Sequence, residues 1–97
     1  MTVTVVALVT INDDAPEALA AYFRVTGPLL EKAGAKIVQR FEISETVIGL
    51  EPAQSVVIVE YPNRDAVDQV FGSDEYQMIK ETRDKAFSNY QISIVAR

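Results

Sequence analysis

The feature that most limits what this chain can fold into is a strand that is apolar on both sides. Residues 3–11 read VTVVALVTI. They are mostly β-branched and free of glycine and proline, the composition of a strand. Side chains alternate between the two faces of a strand, so Val3, Val5, Ala7 and Val9 share one face and Val6 and Leu8 the other. Three later runs extend the pattern: KIVQRFEI (36–43), VVIVEY (56–61) and QISIVA (91–96). They add Ile37, Phe41, Val57, Val59, Ile92 and Ile94 to the first set, which suits the buried side of a sheet. They add Val38, Val56, Ile58 and Val95 to the second, interrupted by Thr4, Arg40, Glu42, Glu60, Gln91 and Ser93.

An antiparallel sheet with one face in water is polar there. The second set is not. Six sizeable aliphatic groups left wet would each forgo about 1.5–3 kcal/mol and would form a patch of the kind that marks an interaction site. Two such sheets meeting across a two-fold axis would bury both patches. The expectation is a homodimer paired through its sheets, with Arg40 and Glu42 bridging across the interface or lining a cavity.

Between the strands the chain reads as helix. Asp14 is the expected N-cap of the first, with Glu17 completing a capping box and Pro16 in the first turn. Leu19, Tyr22, Phe23, Thr26, Leu30 and Ala33 recur at helical spacing to about Lys32, and Gly34 is the stop. Gly27-Pro28 predicts a kink inside this helix, since the proline ring crowds the carbonyl of Arg24. Ser44-Glu45 is the expected position of a bulge, with Thr46–Ile48 continuing the second strand and GLEPAQS (49–55) a loop. After the third strand Asn63 caps a short helix whose apolar face is Ala66, Val67, Val70 and Phe71. Gly72 ends it, Ser73 caps another, and Asp74 and Glu75 complement the helix dipole in its first turn. That segment is expected to run to about Phe87, with a turn at Asn89 before the last strand. The order is βαββαβ, an α+β, ferredoxin-like arrangement: a four-stranded antiparallel sheet with two helices on one face. Residues 1–97 read as a single domain.

Composition excludes several chemistries. With neither cysteine nor histidine in 97 residues, there is no disulfide framework, no thiol nucleophile, no usual serine triad and no usual proximal haem ligand. No metal-ligand spacing, phosphate loop or nucleophile elbow is present, so no metal and no cofactor are expected. A net charge of −5 disfavours nucleic acid. The apolar start lacks a basic n-region and a cleavage site, and no run approaches the ~18 residues of a membrane span. The reading is a soluble, unprocessed, cytoplasmic protein.

The residues left for a site are few. Tyr76, Ile79, Lys80, Arg83, Ala86 and Phe87 form one helical stripe, with Arg83 in its middle. A guanidinium there needs carboxylate partners, such as Glu42 or Glu60, or it holds a ligand carboxylate bidentately. Tyr76 would orient a ligand oxygen or serve as an amphipathic core residue. The candidate ligand-binding residues are therefore Arg40, Tyr76 and Arg83. Tyr22 reads as core, and no catalytic residue is assigned.

The stretch VVIVEYPNRDAVDQVFGSDEYQMIKETR (56–83) resembles the small bacterial proteins grouped as domain of unknown function 1330, in the dimeric α+β barrel superfamily. The resemblance rests on Tyr61-Pro62, Asn63-Arg64-Asp65, Ser73-Asp74-Glu75-Tyr76 and Arg83, with GPLLEKAGAKIVQR (27–40) in support. It departs at Ala35, Phe41 and Phe71, where the family usually has glycine, glycine and tryptophan. The resemblance implies a dimer with paired sheets and no established reaction; wider relatives include cofactor-free oxygenases, lactone isomerases and haem enzymes. Two functions are expected in order: binding of a small apolar or carboxylate-bearing molecule between helices and sheet, then cofactor-free monooxygenase or isomerase chemistry.

Overall fold

The computed structural model describes residues 2–50 and 53–96. Its elements are β1 (Val3–Ile11), α1 (Pro16–Ala33), β2 (Lys36–Glu42), β3 (Ser55–Tyr61), α2 (Arg64–Phe71), α3 (Asp74–Met78), α4 (Lys80–Ala86) and β4 (Phe87–Ile94). The strands form one antiparallel sheet in the order β2-β3-β1-β4. This is the ferredoxin-like arrangement expected, with the second helical region divided into three pieces.

The helices cover one face of the sheet. The buried core joins Val5, Val59 and Tyr61 from the strands to Tyr22 and Ala33 of α1, Val67 and Val70 of α2, Tyr76 of α3 and Ala86 of α4. The core-facing strand residues belong to one phase of the alternation. The side chains of Val6, Leu8, Val56 and Ile58 point from the other face, which no helix among the described residues covers.

The most consequential departure from expectation is in β2. Ile37 pairs with Val59 but Gln39 pairs with Ile58, so Val38 is an extra residue in the ladder. A one-residue insertion reverses the facing of everything beyond it. Arg40 stands opposite Val57 and Glu42 opposite Ser55, both on the helix-covered face, while Phe41 stands opposite Val56 on the bare one. The strict alternation used for the sequence placed all three on the wrong side. The bulge expected at Ser44-Glu45 lies here instead.

Other boundaries moved for local reasons. Asp14 does not cap α1: the N-cap is Ala15, with no side-chain bond. Asn12 takes over the turn, its Oδ1 accepting from the Asp14 amide (3.1 Å) and its Nδ2 donating to the Lys85 carbonyl (2.9 Å). α1 runs unbroken through Pro28 and closes at Gly34, whose φ of 75° is the left-handed value that favours glycine. Thr46–Ile48 do not extend β2, whose last backbone bond to the β3 side is from the Ile43 amide to the Gln54 carbonyl (2.8 Å); of the loop expected at 49–55, Glu51 and Pro52 lie outside the described residues. β4 starts at Phe87 rather than Gln91. A second irregularity, between Thr10 and Ile11 of β1, lets Phe87 pair with Ile11 and puts Asn89 within the strand.

The two caps at the α2–α3 junction form as expected. The Asn63 side chain accepts from the Ala66 amide (2.8 Å) and Ser73 Oγ from the Tyr76 amide (3.1 Å). Gly72 is needed for space rather than for its backbone angle: a Cβ there would lie 2.8 Å from the Asp68 carbonyl oxygen.

Candidate functional site

The paired strands set residues in rows across the covered face. One row is Tyr90–Val9–Ser55–Glu42, the next Ile92–Ala7–Val57–Arg40. Their middles are small: Ala7 and Ser55 leave room that the helices above do not fill. A cavity of about 190 Å³ lies there, roofed by Tyr22, Phe23, Thr26 and Leu30 of α1, Val70 and Phe71 of α2, and Tyr76 of α3. An apolar cavity of about 150 Å³ is enough to admit benzene, so the space here suits one ring with small substituents.

The cavity has two different ends, separated by the two central strands. On the β4 side the hydroxyls of Tyr22, Tyr76 and Tyr90 meet. Tyr22 bonds Tyr76 at 3.0 Å, Tyr76 donates to Tyr90 at 3.0 Å, and Tyr22 also bonds Tyr90. Each hydroxyl has one proton, so only one arrangement satisfies all three contacts: Tyr76 to Tyr90, Tyr90 to Tyr22, Tyr22 to Tyr76. Burial, reinforced by the neighbouring phenols, pushes the Tyr22 hydroxyl far above the ordinary tyrosine value. Burial is also the main cause that raises Tyr90, and it pushes Tyr61, in the same cavity wall, up to about 12. These phenols stay protonated at neutral pH. They can position a ligand oxygen but are poor bases.

On the β2 side stand Arg40 and Glu42. Glu42 Oε2 accepts from Ser55 Oγ at 2.7 Å. Arg40 has no ion pair or side-chain hydrogen bond among the described residues. Glu42 is the one carboxylate among the described residues lining the cavity.

Of the residues singled out in the sequence, Arg40 and Tyr76 line this cavity together, Arg40 only because of the Val38 bulge. Arg83 is set apart. Tyr76 and Tyr90 form a wall shared with an outer groove, and Arg83 lies on the groove side. Its guanidinium carbon is 5.8 Å from the Tyr76 ring centre and 5.4 Å from that of Tyr90. Its charge partner is its neighbour Asp84, at 3.3 Å, rather than Glu42 or Glu60. Tyr90 was missed because the turn expected at Asn89 left it outside the strand; its alternation with Ile92 and Ile94 was the available signal. Glu42 was seen but assigned to the bare face.

Comparison with known proteins agrees with this architecture. The family model "Domain of unknown function (DUF1330)" matches residues 2–97. No curated protein matches. Among solved structures, the protein of unknown function RPA0582 from Rhodopseudomonas palustris is 25% identical, with a TM-score of 0.81 over 99% of this chain and 82% of that one. A dimeric protein of unknown function and ferredoxin-like fold from Bacteroides fragilis is 12% identical, with a TM-score of 0.59 over 99% and 96% of the two chains. A protein from Caulobacter crescentus, provisionally described as an antibiotic biosynthesis monooxygenase, is 16% identical, with a TM-score of 0.66 over 99% and 89%.

Proposed function

Starting from a chain that belongs to the DUF1330 family, we propose that it is a homodimer that binds a small, mostly apolar molecule in the cavity between helices and sheet. The observation that carries this reading is the cavity itself, about 190 Å³ of space above Ala7 and Val57 with hydroxyls at one end and a guanidinium at the other. A purely structural module would fill that volume with side chains, because an unfilled cavity costs stability.

The dimer half of the reading rests on the bare face. The Val38 bulge makes that face greasier than the alternation implied: it removes Arg40 and Glu42 and adds Phe41 beside Val56 and Leu8. Phe41 is 48% exposed in the single chain. The Bacteroides fragilis neighbour, itself dimeric, supports a dimer.

Native mass spectrometry of the purified protein tests both halves at once. The expected species has twice the 10.7 kDa chain mass and loses a small molecule on activation. A bare monomer would overturn the reading.

A second reading, a cofactor-free monooxygenase or isomerase, is supported by Glu42, a carboxylate in the cavity lining able to serve as a base, and by the Caulobacter crescentus neighbour. In it the protonated tyrosines would orient substrate and Glu42 would take the proton. Oxygen uptake or product formation that is lost in Glu42→Gln would favour it over simple binding.

A further inference from the structure

We propose that the cavity takes a ring-bearing hydroxy acid, its hydroxyl donating to the tyrosine triangle and its carboxylate meeting Arg40. This deepens, and rests on, the small-molecule reading above.

The direction of the hydrogen bond follows from counting protons. The three hydroxyls hold three protons, and the three contacts among them consume all of them. What remains for a ligand is a lone pair on Tyr22 and on Tyr90, since the Tyr76 hydroxyl also interacts with the Arg83 guanidinium on the groove side. A ligand group reaching the intact triangle is therefore received as a donor: a hydroxyl or an N–H. A ketone, ether or carboxylate there would meet only lone pairs or would have to break one of the three bonds, leaving its former acceptor unpaired.

The opposite end has the opposite character. Arg40, exposed to solvent at the β2 edge of the cavity, brings a cation with no side-chain partner among the described residues, and its planar fork matches a carboxylate. Glu42 stands one row away with one oxygen occupied by Ser55. It repels an acid placed beside it, which favours a carboxylate in the row of Ala7, Val57 and Arg40. Between the two ends the floor is Val9, Ala7 and Val57, apolar and flat enough for a ring.

The two ends lie on opposite edge strands, β4 and β2, with two strands between. Neighbouring strands are about 4.8 Å apart, so the end strands are separated by about 14 Å at the backbone. Side chains entering from both sides leave a span suited to substituents at opposite positions of one ring.

Calorimetric or ligand-observed NMR titration tests this with five probes: 4-hydroxybenzoate, 4-methoxybenzoate, phenol, 4-hydroxybenzylamine and toluene. The expected order puts 4-hydroxybenzoate at least tenfold ahead of 4-methoxybenzoate, which lacks the donor, and of phenol, which lacks the acid. In Arg40→Met the ratio of 4-hydroxybenzoate to phenol affinity falls towards one. In Tyr22→Phe the Tyr90 proton loses its acceptor and is free to enter the cavity, so the preference for 4-hydroxybenzoate over 4-methoxybenzoate shrinks by fivefold or more. Equal binding of 4-hydroxybenzoate and 4-methoxybenzoate by the unaltered protein overturns the donor assignment. Tighter binding of 4-hydroxybenzylamine than of 4-hydroxybenzoate overturns the role of Arg40 in favour of Glu42. If phenol or toluene binds without these preferences, the inference fails and the small-molecule reading stands. If no probe binds, toluene included, that reading fails and the inference with it.

Discussion

The phenol hydroxyl of Tyr22, on α1, bonds that of Tyr90, on β4, although 68 residues separate them in the chain. Tyr76 closes the triangle from α3. The first helix, the second helical region and the last strand are thus tied at one point inside the fold. Rings pack around the same point: Phe87 meets Tyr22 edge-on at 5.2 Å and Phe71 meets Tyr76 at 5.1 Å. Tyr22→Phe keeps the packing and deletes one hydroxyl, so Tyr76 and Tyr90 still bond each other. The expected loss is about 1–2 kcal/mol, two modest hydrogen bonds less what the surviving pair recovers. Urea unfolding measures it, and a loss near zero would mean the triangle adds nothing to stability.

Alkaline pH should expose the same cluster. Tyr22, Tyr90 and Tyr61 are all raised above the ordinary phenol value, burial being the leading cause. In the unfolded chain a tyrosine ionises near pH 10, while these hold their protons in the fold. Above that pH the unfolded state binds fewer protons than the native state, so stability falls as pH rises. Each tyrosine so held contributes about 1.4 kcal/mol of loss per pH unit. Tyr61 stops contributing near pH 12, its folded value. Below pH 10 the stabilisation is fully present. Unfolding midpoints measured from pH 8 to 11.5 should be flat at first and then drop, and Tyr22→Phe should make the drop shallower. A midpoint independent of pH across that range would contradict the burial of these groups.

Arg83 invites a different expectation from the one its place in the helical stripe suggested. It lies over the Tyr76 and Tyr90 rings from the groove side, and its pair with the exposed Asp84 is worth little. Arg83→Met should therefore fold, lose about 0.5–2 kcal/mol of cation–π contact, and bind a cavity ligand within about twofold of the unaltered protein. Thermal melts and a phenol titration read the two effects separately. A tenfold loss of ligand affinity with intact folding would put Arg83 back in the binding site.

What the sequence made legible was whatever depended on local signals. The βαββαβ order, the Asn63 and Ser73 caps and the Gly72 break follow from residue types within a few positions of each other. What it hid was register. Nothing in KIVQRFE marks Val38 as the extra residue, because a bulge is set by how β2 meets β3, and its own side chain is an ordinary strand former. Yet that one residue decides whether Arg40 and Glu42 face the cavity or the bare side. The early start of β4 was hidden in the same way: Phe87 looks like the end of a helix stripe until the register with Ile11 is known. Both errors fell on the site, since the cavity is built from residues contributed by three or more elements.

Gly72 separates a requirement for space from one for backbone freedom. Its φ of −93° is open to any residue, but a methyl group would stand 2.8 Å from the Asp68 carbonyl oxygen, which its own amide bonds at 2.8 Å. Gly72→Ala must push α2 and Ser73 apart, at a cost of about 1–3 kcal/mol. Because Ser73 caps the segment bearing Tyr76, near-ultraviolet circular dichroism of the tyrosines should change together with the melting temperature. An unaltered melting temperature would show that the junction relaxes freely.

The bulge also makes the dimer testable at neighbouring residues with opposite outcomes. Had the alternation of β2 been unbroken, Glu42 would face the partner and Phe41 the helices. With Val38 inserted, Phe41 joins Leu8 and Val56 in one row of the bare face, and Glu42 turns inward to Ser55. A carboxylate at position 41 would have to be buried unpaired if the two sheets met, at a cost of several kcal/mol for each copy, enough to dissociate a modest dimer. Phe41→Asp is expected to sediment as a monomer at micromolar concentration and to keep its circular dichroism spectrum. Glu42→Gln, which preserves an acceptor for Ser55 Oγ, is expected to remain dimeric. The reverse result, with Glu42→Gln monomeric and Phe41→Asp unfolded, would restore the unbroken register.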